Sequence, residues 1–370
     1  FDDVFRIQDE IAADVAKNLE ITLLKPLPHS RNVHPEAYAL VQQVSQIFQV
    51  RDKDTGARMY PLANRAFELD PDYPEAVKWL GIAEFMRAVE GLITWDEASE
   101  QFKWLDVRYA ELAPDSGYLE ASKAWEKEQS GELEQAADFY RRALEKELTD
   151  SEQLRWAGRF AILLGKLDVA VKLLEHAIAI DPLNHQVRRI LSQAYMFRGR
   201  LGDYDRAIRA REQYLASASG GKPFYSMLLM LTGRPAEVAD VWADIEDEGN
   251  YQKYSYLAMA DYSAGRIDEA LAKLASIEEL LKEGPDKATT RAWDIRFYLG
   301  AAYAWMGDAD KAFAHLMPPA PTISYTDRLD IHNPVWLKIA DDPRWLQYRE
   351  AIGMSQDRLD AIEFDPWLPE

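Results

Sequence analysis

The feature that most constrains this chain is a sequence pattern that recurs at a fixed interval. Residues 131–150 read GELEQAADFYRRALEKELTD, and residues 165–184, which begin 34 positions later, read GKLDVAVKLLEHAIAIDPLN. A glycine, a leucine and two alanines coincide in the two copies: Gly131 with Gly165, Leu133 with Leu167, Ala136 with Ala170 and Ala143 with Ala177. Self-similarity at such a period is typical of arrays in which each unit buries its apolar face only against its neighbours. The repeat therefore predicts an extended array rather than one compact core.

Within one copy, the residue types indicate two helices joined by a tight turn. In the most regular copy, residues 151–184, the small residues Gly158 and Ala170 lie where two helices would touch. Gly165 can adopt the left-handed conformation that ends a helix, and Pro182 cannot continue the second helix. A helix–turn–helix unit of 34 residues is typical of the tetratricopeptide class.

Less regular copies cover most of the remaining chain. The copies at 35–71 and 71–114 are longer, the first by a lengthened turn and the second by about nine residues around GLITWDEASEQ. Further copies are recognised at the following places: at 117–149, from His185 onward with a three-residue insertion, and around the turn glycines Gly233, Gly265 and Gly307. Together they predict an all-α fold, a right-handed α-solenoid of about eight helix pairs.

The two ends of the chain fall outside the repeat pattern. Because the chain opens on Phe1 inside a helical pattern, residues 1–30 are predicted to hold an N-terminal helix and a linker from an upstream domain. The repeat array is predicted to span 31–317. Beyond it, 318–370 is predicted to hold a loop, PPAPTISYTDRLDIHNP, and two short capping helices within WLKIADDPRWLQYREAIGM and SQDRLDAIEF.

Composition excludes several classes of function for this segment. Its 63 Asp and Glu residues outnumber its 43 Lys and Arg residues, which gives a formal net charge of −20. Such a surface repels phosphate groups, so neither nucleic acid nor a membrane surface is expected as a partner. The sequence has no cysteine, and no apolar run approaches the length of a membrane span. We expect a cytoplasmic protein, or a periplasmic one if a membrane helix precedes the chain.

Phrases at both ends of the chain add a resemblance to a known family. Four stretches resemble the tetratricopeptide repeat region of bacterial TolB-like multidomain regulators: FDDVFRIQDEIAADVA, PEAYAL, AFELDPDYPEA and DPRWLQYREAIGMSQDRLDAIEFDPWLP. In that family an N-terminal output module, either an adenylate/guanylate cyclase domain or a winged-helix DNA-binding domain, precedes the repeats. The resemblance implies that this chain is the sensory or protein-interaction half of a signalling protein, and that the output chemistry lies outside it.

The sequence contains no recognisable motif for chemistry. Its six histidines form none of the spacings of a zinc site, so no metal is expected. SGGKP at 219–223 lacks the spacing of a phosphate-binding loop, and its proline removes a backbone donor. No G-x-S-x-G and no G-x-G-x-x-G occurs, so neither a nucleophile elbow nor a dinucleotide cofactor is expected. We therefore predict a protein that is not an enzyme and binds no cofactor.

The repeat register predicts which side chains line the concave groove. When the inter-helix glycine is counted as position 15, positions 2, 5, 9, 12 and 13 of each first helix face inward. Three successive repeats place two aromatic residues, a glutamine and four arginines at these positions or directly beside them: Trp125, Arg155, Arg159, Arg189, Gln193, Phe197 and Arg198. Arginine forks suit carboxylates and aromatic rings are apolar anchors, so the groove is predicted to bind an acidic peptide or a free C-terminal carboxylate. The alternative is that the arginines pair with carboxylates of the array itself, such as Glu152 and Glu128.

These observations favour a non-catalytic protein–protein interaction module that binds a peptide or a partner protein in the concave groove. Two alternatives remain open. One is a small-molecule sensor, with a metabolite in the concavity or in a pocket near Trp95 and Trp104. The other is a homodimerisation platform for an upstream cyclase or DNA-binding domain.

Overall fold

The computed structural model describes residues 33–50, 54–215, 221–245, 250–283, 290–317 and 328–368. Every element of regular structure in these ranges is helical. The helix predicted within residues 1–30 lies outside them, as does most of the loop predicted after residue 317.

Eight helix pairs follow one another along the described part of the chain. They are α1 (Pro35–Val50) with α2 (Thr55–Leu69), α3 (Pro74–Val89) with α4 (Trp95–Leu112), α5 (Tyr118–Ser130) with α6 (Leu133–Lys146), α7 (Ser151–Leu163) with α8 (Leu167–Ile180), α9 (His185–Arg198) with α10 (Asp203–Leu215), α11 (Lys222–Leu231) with a 3₁₀ turn (Pro235–Glu237) and the short α12 (Val238–Val241), α13 (Tyr251–Ser263) with α14 (Ile267–Glu283), and α15 (Thr290–Met306) with α16 (Ala309–Leu316). Helices of a pair pack on each other and on the next pair. The prediction of an all-α solenoid of about eight helix pairs is confirmed. None of the described helices is both long enough and apolar enough to cross a membrane.

Local chemistry explains where these helices begin, end and touch. Asp150 caps α7, since its Oδ1 accepts a hydrogen bond from the backbone nitrogen of Glu152 at 2.8 Å. Gly165 follows the end of α7 in the left-handed region, with φ of +74°. Gly158 faces the buried Leu174 so closely that an added Cβ would lie 2.7 Å from its Cγ. The glycines of the repeat therefore have distinct roles, one in a turn and one at a helix–helix contact.

The array curves tightly enough for its first pairs to contact its middle pairs. Lys78 Nζ on α3 lies 2.7 Å from Asp150 Oδ2 at the start of α7, and both groups are largely buried. The Gln186 side chain on α9 donates to the backbone carbonyl of Gln49, at the end of α1, at 2.8 Å. The apolar core correspondingly divides into one cluster over the first pairs and one over the rest, with Trp156 packed against both.

The chain after the last pair does not simply cap the stack. Residues 328–368, which we call the C-terminal segment, contain two 3₁₀ turns (Asp330–His332 and Pro334–Trp336), α17 (Pro343–Ala351) and α18 (Gln356–Ala361). The two short helices lie within the predicted stretches, and α17 begins only at Pro343 because proline suits the first turn of a helix. The C-terminal segment runs back along the array: Arg344 pairs with Asp310 of the last pair at 2.9 Å, whereas Arg358 pairs with Glu134 of the third at 2.8 Å.

Candidate functional site

The first helices of the pairs form the inner wall of the array, and the C-terminal segment lies against that wall. By the repeat register, Leu163, Met227 and Phe297 occupy groove-facing positions. His332 Nε2 lies 3.2 Å from the carbonyl oxygen of Leu163. The Trp336 ring meets the Phe297 ring edge-on at 5.6 Å between centroids, and a space of only about 10 Å³ remains where Trp336 adjoins Met227. At these repeats the groove is filled by the chain itself.

The two predicted groove arginines on α7 are buried and bonded to carboxylates of the array. Arg155 Nε and Nη2 donate to Glu152 Oε2 at 3.0 and 2.7 Å. Arg159 Nη2 donates to Glu128 Oε2 at 3.0 Å, and Tyr140 OH donates to the same oxygen at 2.9 Å. These are the two carboxylates that the pairing alternative named. Burial by itself would raise the pKa of Glu152, but Arg155 and a hydrogen bond from Asn184 hold that pKa below its usual range.

The predicted groove residues on α9 are buried or bonded within the chain. Arg189 Nε donates to Gln186 Oε1 at 3.0 Å, and Gln193 is 1% exposed. Phe197 is buried, with its ring 6.4 Å from that of Phe224. Arg198, at the end of the helix, donates through Nε and Nη2 to the two oxygens of Asp203, both at 2.8 Å, and this hydrogen bonding raises the pKa of Arg198. Gln193 and Phe197 are thus buried, and Arg189 and Arg198 are half-buried.

Trp125 on α5 is the remaining member of the predicted set. Its ring packs edge-on against Phe85 of α3 at 4.9 Å between centroids, and its side chain is half-buried. The structure thus distributes the predicted residues over three successive inner helices, as the register requires. It does not gather them into one free cationic patch.

Sequence reasoning missed the residues that now occupy the groove. His332 is wedged against Gly165, where an added Cβ would lie 2.7 Å from its ring, and burial lowers the pKa of His332 to about 4. Trp336 is 3% exposed and donates through Nε1 to the carbonyl of Asp330 at 2.7 Å. The available signal was the apolar spacing of DIHNPVWLKI, a stretch that lies outside the repeat pattern. It indicates that the stretch packs somewhere, but not on which repeat.

Three observations bear on a small-molecule or metal site. The described residues hold no group of three His, Asp or Glu side chains placed for a metal ion. Trp104, near the predicted insertion, is 49% exposed and packs edge-on against Phe67. A cleft of about 310 Å³ lies between α8 and the end of the C-terminal segment, and its lining includes Lys172, Glu175 and His176.

Comparison with known proteins identifies no family for this chain. No protein-family description and no curated protein matches the chain. Among solved structures, the chain resembles a human IFIT1 dimer bound to PPP-AAAA, with 16% identity, a TM-score of 0.46, and coverage of 89% of this chain and 78% of that one.

Two further similar structures are described as tetratricopeptide proteins. One is a tetratricopeptide repeat protein from Parabacteroides merdae, at 12% identity and a TM-score of 0.33, covering 82% of this chain and 100% of that one. The other is the P58(IPK) TPR domain, at 13% identity and a TM-score of 0.23, covering 88% and 98%. These TM-scores are too low to carry a functional argument.

Proposed function

We propose that this chain is a non-catalytic interaction module that binds a peptide or a partner protein in its concave groove, as the regulatory half of a bacterial signalling protein. The observation that supports the proposal is that the inner wall already holds a stretch of polypeptide. Residues 330–339 lie across it in two 3₁₀ turns and bury Ile331, Val335, Trp336 and Ile339. A wall that accommodates one such stretch has the shape and the contacts for another.

An acidic peptide or a free C-terminal carboxylate, which the sequence predicts as the ligand, would compete with carboxylates of the chain for the groove arginines. Arg155, Arg159 and Arg198 already donate to carboxylates of the chain. An acidic ligand would have to replace these carboxylates, and a buried carboxylate that loses its arginine is strongly destabilised. We therefore propose a polypeptide partner without requiring that it be acidic.

Site-specific photo-crosslinking in the cells that make the protein tests the proposed function. A photoreactive amino acid replaces Trp125 on the inner wall or, as the control, the exposed Arg141 on the outer helix α6. We expect an adduct of one discrete mass from position 125 and none from position 141. Adducts from position 141 alone, or from neither position, would reject groove binding.

A small-molecule sensor is the second candidate, because the cleft beside α8 has the size of a small ligand site. Native mass spectrometry of the purified chain separates the two candidates. A retained small mass, together with no crosslinked polypeptide, would favour the sensor, whereas a doubled mass would favour the homodimer platform.

A further inference from the structure

The C-terminal segment contacts groove-facing positions of several different repeats. Apart from His332 on Leu163 and Trp336 on Phe297, the ammonium group of Lys338 lies 5.5 Å from the centres of the Tyr262 and Trp305 rings. Counted back from the turn glycines Gly265 and Gly307, these rings stand at positions 12 and 13 of their repeats. The segment therefore occupies the same register positions that were predicted to face a ligand.

Besides its two ion pairs with the array, the C-terminal segment makes three polar contacts with the inter-helix turns. Arg328 Nη1 donates to the carbonyl of Gln129 at 3.3 Å, and Arg358 Nη2 donates to the carbonyl of Gly131 at 2.9 Å. His332, in the tautomer that carries its proton on Nε2, donates to the carbonyl of Leu163. These acceptors are backbone groups at the ends of α5 and α7, where helices leave carbonyls unbonded. A ligand that binds at these carbonyls must therefore bring hydrogen-bond donors, which a carboxylate lacks.

The chemistry of the segment is apolar and aromatic with balanced charge. Residues 328–345 read RLDIHNPVWLKIADDPRW and contain three basic and three acidic side chains. The buried anchors within this stretch are Ile331, Val335, Trp336, Ile339 and Trp345, and Trp336 stacks on Trp345 at 5.3 Å between centroids. Neighbouring Leu337, by contrast, is 69% exposed. The stretch thus buries most of its apolar residues and leaves Leu337 in solvent.

From these contacts we infer that the C-terminal segment is a built-in occupant of the groove, which the partner displaces with an apolar, tryptophan-containing segment of its own. This inference rests on the proposed function and names the chemical class of the partner. While the segment is docked, it covers the groove residues Phe297, Met227 and Leu163. Partner binding therefore depends on the fraction of molecules in which the segment has left the groove.

Binding of a synthetic peptide to the full chain tests the inference. The probe is a fluorescein-labelled peptide of residues 328–345, followed by fluorescence anisotropy. Trp336→Ala in the chain removes a buried anchor of the segment and should increase peptide affinity by about tenfold or more over the unaltered chain. Leu337→Ala, the exposed neighbour, is the matched control and should leave the affinity unchanged. Arg358→Ala loosens the segment at a surface contact and serves as a second variant if Trp336→Ala lowers the helix content.

A reversible covalent lock supplies a measurement that does not depend on loosening. A Cβ built on Gly307 lies 4.0 Å from Lys338 Cβ, within the range of about 3.5–4.5 Å for a disulfide. The chain has no cysteine, so Gly307→Cys with Lys338→Cys forms a single defined pair. The single Gly307→Cys variant controls for the left-handed conformation at this position, whose φ is +83°. In the Trp336→Ala background, oxidation should abolish peptide binding and a reductant should restore it.

The outcomes separate this inference from the proposed function. Equal peptide binding by the oxidised and reduced lock, or stronger competition by an acidic peptide of the same length than by the unlabelled 328–345 peptide, overturns the inference. Absence of peptide binding to every variant, with the crosslink from position 125 retained, also overturns it and leaves the proposed function standing. If the redox state of the lock controls peptide binding but no crosslink forms in cells, the segment does occupy the groove. The proposal that a partner binds there in the cell is then rejected.

Discussion

Two glycines at the same repeat position are expected to respond to alanine in opposite directions. Gly158 on α7 and Gly81 on α3 both occupy the small position of a first helix. A Cβ on Gly158 would lie 2.7 Å from Cγ of Leu174, whose side chain is 0% exposed and belongs to the apolar core. A Cβ on Gly81 would meet Leu105 Cδ1 at 3.7 Å, which is an ordinary van der Waals contact.

The expected magnitudes follow from two opposing effects. Alanine favours a helix interior over glycine by about 1 kcal/mol, and this gain applies at both positions. Overpacking a filled core costs about 1–3 kcal/mol, and this cost applies only at Gly158. Gly81→Ala should therefore raise the free energy of unfolding by about 0.5–1 kcal/mol, whereas Gly158→Ala should lower it by about 1 kcal/mol.

Urea denaturation followed by circular dichroism measures this difference. Because an array of repeats does not always unfold in one step, amide hydrogen exchange in α3 and α7 should accompany it. Leu174→Val removes one methylene from the contact, so its combination with Gly158→Ala should show a favourable coupling energy. A Gly158→Ala variant as stable as Gly81→Ala would refute the steric reasoning, since both would then report helix propensity alone.

Three further predictions concern buried charged or titratable groups. A released His332 takes up a proton below about pH 6.5, whereas the docked ring beside Arg349, with its pKa lowered to about 4, stays neutral, so docking of the segment should weaken by about 2 kcal/mol between pH 7 and pH 5. The check is stronger binding at pH 5 of a 328–345 peptide whose own histidine is replaced by glutamine, with His332→Gln in the chain as the insensitive control. Arg211 is fully buried and donates to Ser192 and to a backbone carbonyl, and its burial lowers its pKa to about 9. Because this buried charge is costly, Arg211→Met should raise the free energy of unfolding by about 1–2 kcal/mol, and a lower melting temperature would contradict this. Lys78→Met should destabilise the chain by about 3–5 kcal/mol because it leaves Asp150 buried without its cation, and the added Asp150→Asn should recover most of the loss in denaturation experiments.

The fold was predictable because its determinants are local. The turn after α7 needs a residue in the left-handed region, and Gly165 supplies it; the contact between α7 and α8 needs a residue without a side chain, and Gly158 supplies that. Both requirements recur with the repeat and are visible in the sequence. The placement of the C-terminal segment is different, since His332 contacts Leu163 across 169 residues. That contact depends on the summed curvature of the intervening pairs, which no single repeat encodes.

For the arginines of the candidate site, the pairing with carboxylates could be predicted from the sequence, but the burial could not. The register predicts that Arg155 and Arg159 face the groove, and the structure shows both on α7, the first helix of its pair. Their partners follow from the same spacing rules: Glu152 is three residues before Arg155 on one helix, and Glu128 lies nearly one repeat before Arg159. What the sequence could not show is the burial of these pairs, because it depends on how the helices pack in three dimensions.

The covalent attachment of the C-terminal segment determines what kind of signal can open the groove. The segment begins at Arg328, eleven residues after Met317, where the last helix pair has ended. The segment therefore remains tethered close to the wall when it is released. A short tether of this kind gives an effective concentration of the order of millimolar. A free peptide at about 1 μM must then bind roughly a thousandfold more tightly than the segment to occupy half of the grooves. A partner of similar chemistry gains access more readily when it is held close by, as a module of the same polypeptide would be, or when contacts such as that of His332 with Leu163 are weakened first.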